Sequence, residues 1–577
     1  MLSAAETAAS VCWLTTPSLS NQTRVSKAVH SVDGLFVVPK FLPKEHEMKP
    51  HLENEQAQSW YITTSIPYVN AQPHIGFALE AIQTDVLARY HRLLGDNVRF
   101  QTGTDENSLK NVQAAERAGV PTAVLVEQNS NRFRALEATL GLAVDDFIRT
   151  SAEARHVAGV YKLWRACAAR GDIYKRAYRG LYCVGCEQFY EESELAAGLC
   201  PIHGTRPDVV EEENYFFRLS RYADELQQLI ESDQLQIVPE TRKSEVLSFI
   251  RRGLHDFSIS RSQARAKGWG IPVPDDASQV IYVWFDALTN YISALGYAEE
   301  APDYVRYWVN SRQRTHVIGK DITRFHAIYW PAMLISAGVP LPTTIFVHGF
   351  ITAAGQKISK SLGNVIDPVV LVQQYGRSAL RYYLLRKISA TEDGDFTIDE
   401  FVRAYNADLA DQLGNLLNRV LKMIQQYADG VVPAPGPLIE TDQQLINLAA
   451  AVTGQVGEEM AQFNLHKAIA AIWRLIAATN KYIVEVEPWV LARRARTDNP
   501  DPAAAERLVT VLATLAEALR LIAWHLAPFL PETAAALAQQ LGIRLALDRQ
   551  WEEAQQWGTT VVGTQVQPNT VLFPKLA

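Results

Sequence analysis

The first clear pattern along the chain is an unbroken apolar and β-branched run over 61–66, which predicts a buried strand. A turn with Pro67, Asn70, Pro73 and Gly76 follows. Leu79, Ile82, Val86, Tyr90 and Leu93 then recur at helical spacing, so a helix is predicted over about 76–94, with Gly95 as its stop. A second strand is predicted over 98–102. Strand, helix, strand in this order reads as the opening of a βαβ unit, for which a parallel sheet is the usual outcome. Ligands of such sheets lie at the carboxyl ends of the strands, where "SIPYVNAQPHIG" and "TGTDENS" both stand. The pattern breaks over about 178–275 into short mixed elements around a cysteine cluster, as an inserted module would. It resumes with apolar runs over 280–292, 316–321 and 344–351, each expected to be a strand with a loop after it. From about 402 to 542 the spacing is almost entirely helical and rich in Ala and Leu, which predicts a separate α-helical bundle.

Composition narrows the class. A chain of 577 residues, 48% hydrophobic, is long enough for about three or four domains with buried cores. No stretch approaches about 18 consecutive apolar residues, so no membrane span is expected. The net charge of -8 gives no global attraction to nucleic acid, so a polyanionic partner has to be held by local basic patches. Five cysteines, three of them between Cys183 and Cys200, fit a reduced intracellular protein with a metal site better than a disulfide framework. Residues 1–57 begin Ser- and Thr-rich, poor in acids, without an apolar core of a secretory signal. They are expected to be a transit peptide or a disordered extension without catalytic role, and Met48 stands close enough to the first strand to be the true start.

Two motifs carry chemistry by themselves. Cys183, Cys186, Cys200 and His203 form C-x2-C-x13-C-x2-H, two knuckles whose three thiolates and one imidazole can close a tetrahedral zinc shell. With no position left for water, that zinc is structural. "GQKISKSLGN" places Lys357 and Lys360 in a Gly-flanked loop, suited to negative charge developing on a phosphate chain, yet it lacks the Walker order. Taken alone, such a loop is most often a solvated surface turn. His74 and Gly76 likewise fit either a phosphate site at a helix start or a packing turn.

Placed together, the His-Ile-Gly turn, the Lys-Ile-Ser-Lys-Ser loop and the helical C-terminal part resemble class I aminoacyl-tRNA synthetases. "TGTDE", "CVGC…CPIH", "YVWFDAL", "IGKDITRFHAIYWPAML" and "EPWVLAR" narrow the likeness to the methionyl family, of the bacterial type with one zinc knuckle, over about residues 59–575. The resemblance implies a Rossmann-like α/β catalytic domain (58–177 and 276–353) and an inserted connective module with the zinc knuckle (178–275). A stem-contact region with the lysine loop (354–401) and an α-helical anticodon-binding domain (402–577) complete it. It implies activation of L-methionine by ATP with magnesium, then transfer to the 3′ end of initiator and elongator tRNA(Met). The chain is expected to be a cytoplasmic monomer, or organellar if residues 1–57 are a transit peptide.

Site residues follow by the same resemblance. His74, Gly76, Lys357 and Lys360 match the groups that hold ATP phosphates, with His74 and the two lysines catalytic; Gly319, Lys320 and Asp321 match the turn at the ATP ribose. Asp105 matches the acceptor of the methionine ammonium. Ile66, Tyr68, Trp284, Ala287, Tyr291, Phe325 and His326 match the side-chain pocket, where aromatic faces suit a polarizable thioether. Asn415, Arg419 and Trp489 match the readers of the CAU anticodon. Departures stand beside these matches: Phe77 replaces the second histidine of His-Ile-Gly-His, and Asn107 and Ser108 replace the His and Gly of Asp-Glu-His-Gly. A tRNA-binding paralogue with weakened activation is therefore a second reading, and Phe77 leaves helix-start amides as its natural substitutes. A synthetase for another aliphatic amino acid is a third, disfavoured by the compact insert.

Overall fold

The computed structural model describes residues 58–576 apart from 186, 191, 203, 358–363, 546–554 and 559–561. The expected extension 1–57 lies outside the described residues. Six strands make one sheet: β1 Ser59–Thr64, β2 Asn97–Thr104, β3 Asp146–Arg149, β4 Gln236–Val238, β5 Gln313–Gly319 and β6 Thr344–His348. Their order is β3-β2-β1-β5-β6-β4, and every neighbouring pair is parallel. The chain winds outward from β1 through β2 and β3, then returns on the other side through β5. The carboxyl ends of β1 and β5 therefore flank a topological switch point, the crevice where parallel α/β sheets bind ligands.

Both faces of the sheet are covered, which is why its strands read as continuous apolar runs. Ile62 and Val317 point into the core shared with the helix Ile75–Leu93, which continues without a break into the C-terminal helices. Tyr61 and Ile318, one residue away on the same strands, point into the opposite core with Trp164, Phe285, Trp308 and Trp330. The one-residue alternation assigns each side chain to a face.

The run over 280–292 corrects one expectation. It is a short strand end, Asp276–Ile281, followed by the helix Val283–Ser293. All eleven residues of that helix are buried, and its polar stripe, Asp286, Thr289, Asn290 and Ser293 at i, i+3, i+4 and i+7, meets His156 and Gln101 instead of solvent, while the aromatic run before it reads as strand. Four strands, Ile173–Cys183, Gln188–Tyr190, Asp208–Phe217 and Phe257–Ser258, form a separate antiparallel sheet around the cysteine cluster. Between its last two members, Gln236–Val238 returns to the main sheet and pairs with β6.

The helices Glu440–Ala461, Leu465–Val486 and Pro502–Leu526 form the centre of the C-terminal bundle. The last of these is long and apolar enough to cross a membrane, and 94% of its most apolar window is buried among its neighbours. Beyond the helix Pro531–Leu541, residues near 575 lie along the bundle: the Leu576 amide donates to Asn406 Oδ1 (2.9 Å) and Lys575 pairs with Asp411 (2.8 Å). Arg381 joins the layers. It is 1% exposed and pairs with Asp85 on the Ile75–Leu93 helix (2.7 Å) while donating to the carbonyls of Phe529 (2.8 Å) and Pro528 (3.3 Å).

Candidate active site

β1 ends at Thr64, and the next four residues run along the mouth of the crevice. Tyr68 bridges Asp105 in parallel, and the Asp105 amide donates to the Pro67 carbonyl (2.9 Å), which fixes the two strand-end loops to each other. The close approach of β2 to β3 explains Gly103: a Cβ there would lie 2.2 Å from the Ile148 carbonyl oxygen. Glu106 is an internal knot, its carboxylate accepting from Arg149 Nε (2.7 Å), Thr104 Oγ1 (2.9 Å) and Ser151. Asn111 donates to the Asp105 and Glu106 carbonyls (3.1 and 2.9 Å). This scaffold holds Asp105 rigidly; its carboxylate is 2% exposed and its Oδ1 is buried without a hydrogen-bond partner. Burial, and then the charges of Asp286 and Glu187, hold its pKa well above the usual carboxylate range.

The aromatic set converges on the same place. Trp284 stacks on Phe325 with centroids 3.7 Å apart and planes 7° apart, and Tyr68 meets Trp284 edge-on at 6.5 Å. Tyr68 Oη and Trp284 Nε1 are further buried polar atoms without partners. Phe325 and His326 lie on a π-helical turn, Phe325–Tyr329, a distortion often found where side chains serve a site. His326 Nδ1 faces the Ile322 carbonyl (3.0 Å) and so carries the proton. Its Nε2 then accepts from Tyr291 Oη (2.8 Å), and burial lowers its pKa to about 4, so the ring is neutral. Ala287 lies on the helix between Trp284 and Tyr291, while Ile66 is half-buried in the β1 loop.

At the other side of the switch point, His74 caps the helix Ile75–Leu93 by accepting the Gly76 amide on Nδ1 (3.1 Å). Gly319 ends β5, and Asp321 follows it at the exposed mouth. Lys320 turns away from that mouth, and its ammonium pairs with Asp393 (2.6 Å). Beneath lies a buried pair absent from the sequence expectations. Glu80 accepts the Ser65 amide (2.8 Å) and hydroxyl (2.7 Å), and its other oxygen accepts from His348 Nε2 (2.8 Å). His348 Nδ1 faces the Gly349 carbonyl (2.7 Å), so both ring nitrogens donate and the ring is an imidazolium. Burial pulls the His348 pKa down, but the Glu80 hydrogen bond and charge outweigh it and the net shift is upward. One ion pair thus ties the His-Ile-Gly helix, the end of β1 and the start of the lysine-bearing segment.

The departures acquire local reasons. Phe77 packs edge-to-face on Phe133 at 5.1 Å. Asn107 Nδ2 donates to Asp286 Oδ2 (2.8 Å), whose Oδ1 faces His156 Nε2 (2.6 Å), with both Asp286 and His156 fully buried. Ser108 caps the helix Leu109–Ala118 by accepting the Lys110 amide (3.0 Å), and its hydroxyl donates to Glu187 (3.1 Å). Sequence reasoning also missed Arg261, which is 7% exposed with Nε and Nη2 unpartnered beside Asn107, over the Tyr282 ring at 4.2 Å. Its only signal was an arginine inside an alternating strand-like run.

Three further sets of expected residues remain. Lys357 ends the short strand Gln356–Lys357, and Lys360 lies outside the described residues. Cys183 and Cys200 are buried in one small cluster with Tyr190; Cys186 and His203 lie outside the described residues. Among the described residues no group of three or more possible ligands gathers; Cys183 and Cys200 share the cluster, and the turn at Cys200 is closed by its amide donating to Thr205 O (2.8 Å) and its carbonyl accepting from Gly204 (2.8 Å). Asn415 is exposed and Arg419 half-buried on the helix Asn415–Tyr427, and Trp489, 38% exposed, lies in the first turn of the helix Pro488–Ala495. Arg496 ties those helices by donating to the Gln426 carbonyl (2.9 Å).

Comparison with known proteins gives a consistent result. The profile described as tRNA synthetases class I (M) matches residues 60–204 and 190–421, and that of the anticodon binding domain of methionyl tRNA ligase matches 432–577. The methionine--tRNA ligase of Brucella suis biovar 1 is 44% identical over 490 residues, covering 84% of this chain and 92% of that protein. The Clostridium perfringens enzyme of the same name is 42% identical over 519 residues, covering 90% of this chain and 78% of the relative. Among solved structures, Mycobacterium tuberculosis methionyl-tRNA synthetase in complex with methionyl-adenylate matches with a TM-score of 0.84 at 41% identity, covering 90% of this chain and all of that one.

Proposed function

We propose a function residue by residue from the premise that this chain belongs to the methionyl family of class I tRNA synthetases. The reaction is methionine--tRNA ligation: methionine and ATP give methionyl-adenylate and pyrophosphate, and the methionyl group passes to tRNA. Activation uses ATP with magnesium, as in class I synthetases generally. The observation that carries the site reading is the buried Asp105 Oδ1 without a partner, facing an aromatic pocket whose Tyr68 and Trp284 also hold unpartnered polar atoms.

In this reading Asp105 accepts the methionine ammonium. Trp284, Phe325, Tyr68, Ile66, Ala287 and Tyr291 enclose the thioether side chain, with neutral His326 fixed against Tyr291. An apolar pocket discriminates by shape, which limits rejection of near-isosteres. His74 and Gly76 bind the ATP phosphates, Gly319 and Asp321 the ribose, and Lys320 anchors that turn through Asp393. Lys357 and Lys360 close on the pyrophosphate. The methionine carboxylate oxygen attacks the α-phosphorus while the bond to pyrophosphate breaks, and pyrophosphate leaves with the electron pair. The chain thus works by positioning and electrostatics, without a protein nucleophile.

Cys183, Cys186, Cys200 and His203 would hold one structural zinc, fixing the knuckle over the crevice. Asn415, Arg419 and Trp489 read the anticodon of tRNA(Met), with unpaired bases stacking on Trp489. The enzyme acts as a monomer in the cytoplasm, or in an organelle if residues 1–57 serve as a transit peptide. The domain limits proposed are 58–177 with 276–353 for catalysis, 178–275 for the connective module, 354–401 for the stem-contact region and 402–577 for the anticodon domain. Pyrophosphate–ATP exchange with magnesium tests the reading: methionine is expected to support it while leucine and cysteine do not. Absence of methionine-dependent exchange would overturn it in favour of a tRNA-binding paralogue.

A further inference from the structure

Phe77 leaves the activation step short of one donor, and the helix start does not replace it. The Ile75 amide donates to the Ile366 carbonyl (3.0 Å), the Gly76 amide to His74 Nδ1 (3.1 Å) and the Phe77 amide to the His74 carbonyl (3.0 Å). All three first-turn amides are engaged within the protein. The Phe77 ring is held in an apolar cluster with Phe133 and Val69. A cation for the reacting phosphate has to come from elsewhere.

Lys110 stands in the right place. It is the second residue of the helix Leu109–Ala118, whose cap, Ser108, follows Asp105 by three positions. Its ammonium lies 4.2 Å from the centroid of the Tyr68 ring, and Tyr68 is bridged to Asp105. In the proposed function Asp105 and Asp321 hold opposite ends of the aminoacyl-adenylate, the ammonium and the ribose, and the Lys110 charge is the smallest of the influences on each carboxyl. Over the Tyr68 ring and beside Asp105, the ammonium stands at the methionine end of that span, from which its stem can extend toward the carboxylate and the α-phosphorus.

We propose that Lys110 is a further catalytic residue of methionine activation, its ammonium sliding from the Tyr68 ring to the α-phosphate oxygens. As the carboxylate oxygen bonds to phosphorus and the bond to pyrophosphate breaks, negative charge shifts among the oxygens of the α-phosphoryl group. Lys110 stabilises that charge and takes no proton, so the step balances without a base. A lysine stem gives the reach, and the contact with the aromatic face is worth about 0.5–2 kcal/mol. This inference rests on the function proposed above.

The full chain with Lys110→Met, which keeps bulk and removes charge, tests it beside Lys110→Arg, which keeps both. Removing one preorganised charge donor costs about 10²–10³-fold in kcat. That loss is expected for Lys110→Met in methionine-dependent exchange, with methionine KM changed less than about threefold, and Lys110→Arg is expected to recover most of it. Pyrophosphorolysis of supplied methionyl-adenylate should slow by the same factor, since it crosses the same transition state. If Lys110→Met unfolds, Lys110→Gln with an unchanged thermal melt takes its place. A kcat within threefold of the unmodified chain, or a loss confined to methionine KM, would overturn the proposal. An unmodified chain without methionine-dependent exchange would overturn the function beneath it, and the proposal with it.

Discussion

Replacing Asp105 by Asn should separate activity from stability. The substitution keeps size and removes one buried charge, at a carboxylate 2% exposed with Oδ1 unpartnered. For the bound methionine ammonium, losing the charged partner in a buried pair costs about 2–5 kcal/mol. At about 1.4 kcal/mol per tenfold, kcat/KM for methionine falls roughly 30- to 4,000-fold. Stability moves the other way. The folded pKa of Asp105 lies above its unfolded value because burial, then Asp286 and Glu187, disfavour the charge. The empty fold therefore holds the proton to higher pH than the unfolded chain does. Its penalty is absent below the ordinary carboxylate pKa of about 3.9 and fully developed above the raised one. Asp105→Asn should melt at the same or a higher temperature at neutral pH while activation collapses. Methionine binding to the unmodified chain requires ionised Asp105, so it should weaken as pH falls through the raised pKa and release a proton on binding. Exchange kinetics at varied methionine, thermal melts and calorimetry in buffers of different ionisation heat measure all three. A variant within threefold of normal kcat/KM, or one destabilised by more than about 1 kcal/mol, would refute the assignment of Asp105 as a strained, waiting carboxylate.

Other outcomes follow from the same geometry. Glu80→Gln should destabilise the chain by about 2–3 kcal/mol, near the lower end for breaking a buried ion pair, at or below pH 6. Because the His348 pKa is raised in the fold, that difference should narrow as pH rises through it; urea melts across pH would contradict this if the difference widened. Arg381→Met strands Asp85 and the Phe529 carbonyl in the interior and should cost about 3–5 kcal/mol in denaturant titrations, whereas a loss below 1 kcal/mol would rule out the pair as a structural joint. Trp489→Ala should raise the tRNA KM for charging about tenfold or more, from lost stacking of about 1–3 kcal/mol, and leave methionine-dependent exchange unchanged; an equal loss in both assays would exclude an anticodon role. Asn107→Ala removes the donor to Asp286 and should lower activation about tenfold, as an unsatisfied buried carboxylate shifts beside Asp105, with steady-state exchange as the check.

The parallel sheet was legible because β1 and β5 are buried on both faces, so apolarity runs on and turn residues punctuate it. The helix Val283–Ser293 was not, since its aromatic and β-branched opening reads as strand and its polar stripe is buried against partners far along the chain. Gln236–Val238, only three residues long, carries no period of its own and joins the sheet solely by pairing with β6. Within the site, Asp105 could be named from the likeness of "TGTDE", but its unpartnered oxygen and raised pKa follow from burial, and then from the charges of Asp286 and Glu187, far along the chain. The Glu80–His348 pair spans 268 positions, and neither residue stands in a pattern that distinguishes it from an ordinary helix acid or strand histidine.

By itself the sequence determined the class of chemistry through the resemblance that its motifs carry together. Short-range spacing sufficed to place a helix start after His74, knuckles at Cys183 and Cys200 and lysines in a glycine-flanked loop. Such patterns are local, set by backbone geometry within a few residues. Only the tertiary structure decided what each departure means and what charge each group bears. Phe77 becomes a packing residue because Phe133 meets it, Asn107 a donor because Asp286 lies opposite, and Lys110 stands over a ring that is bridged to Asp105. Desolvation and Coulomb interaction act through space, and they depend on which strands the fold makes adjacent.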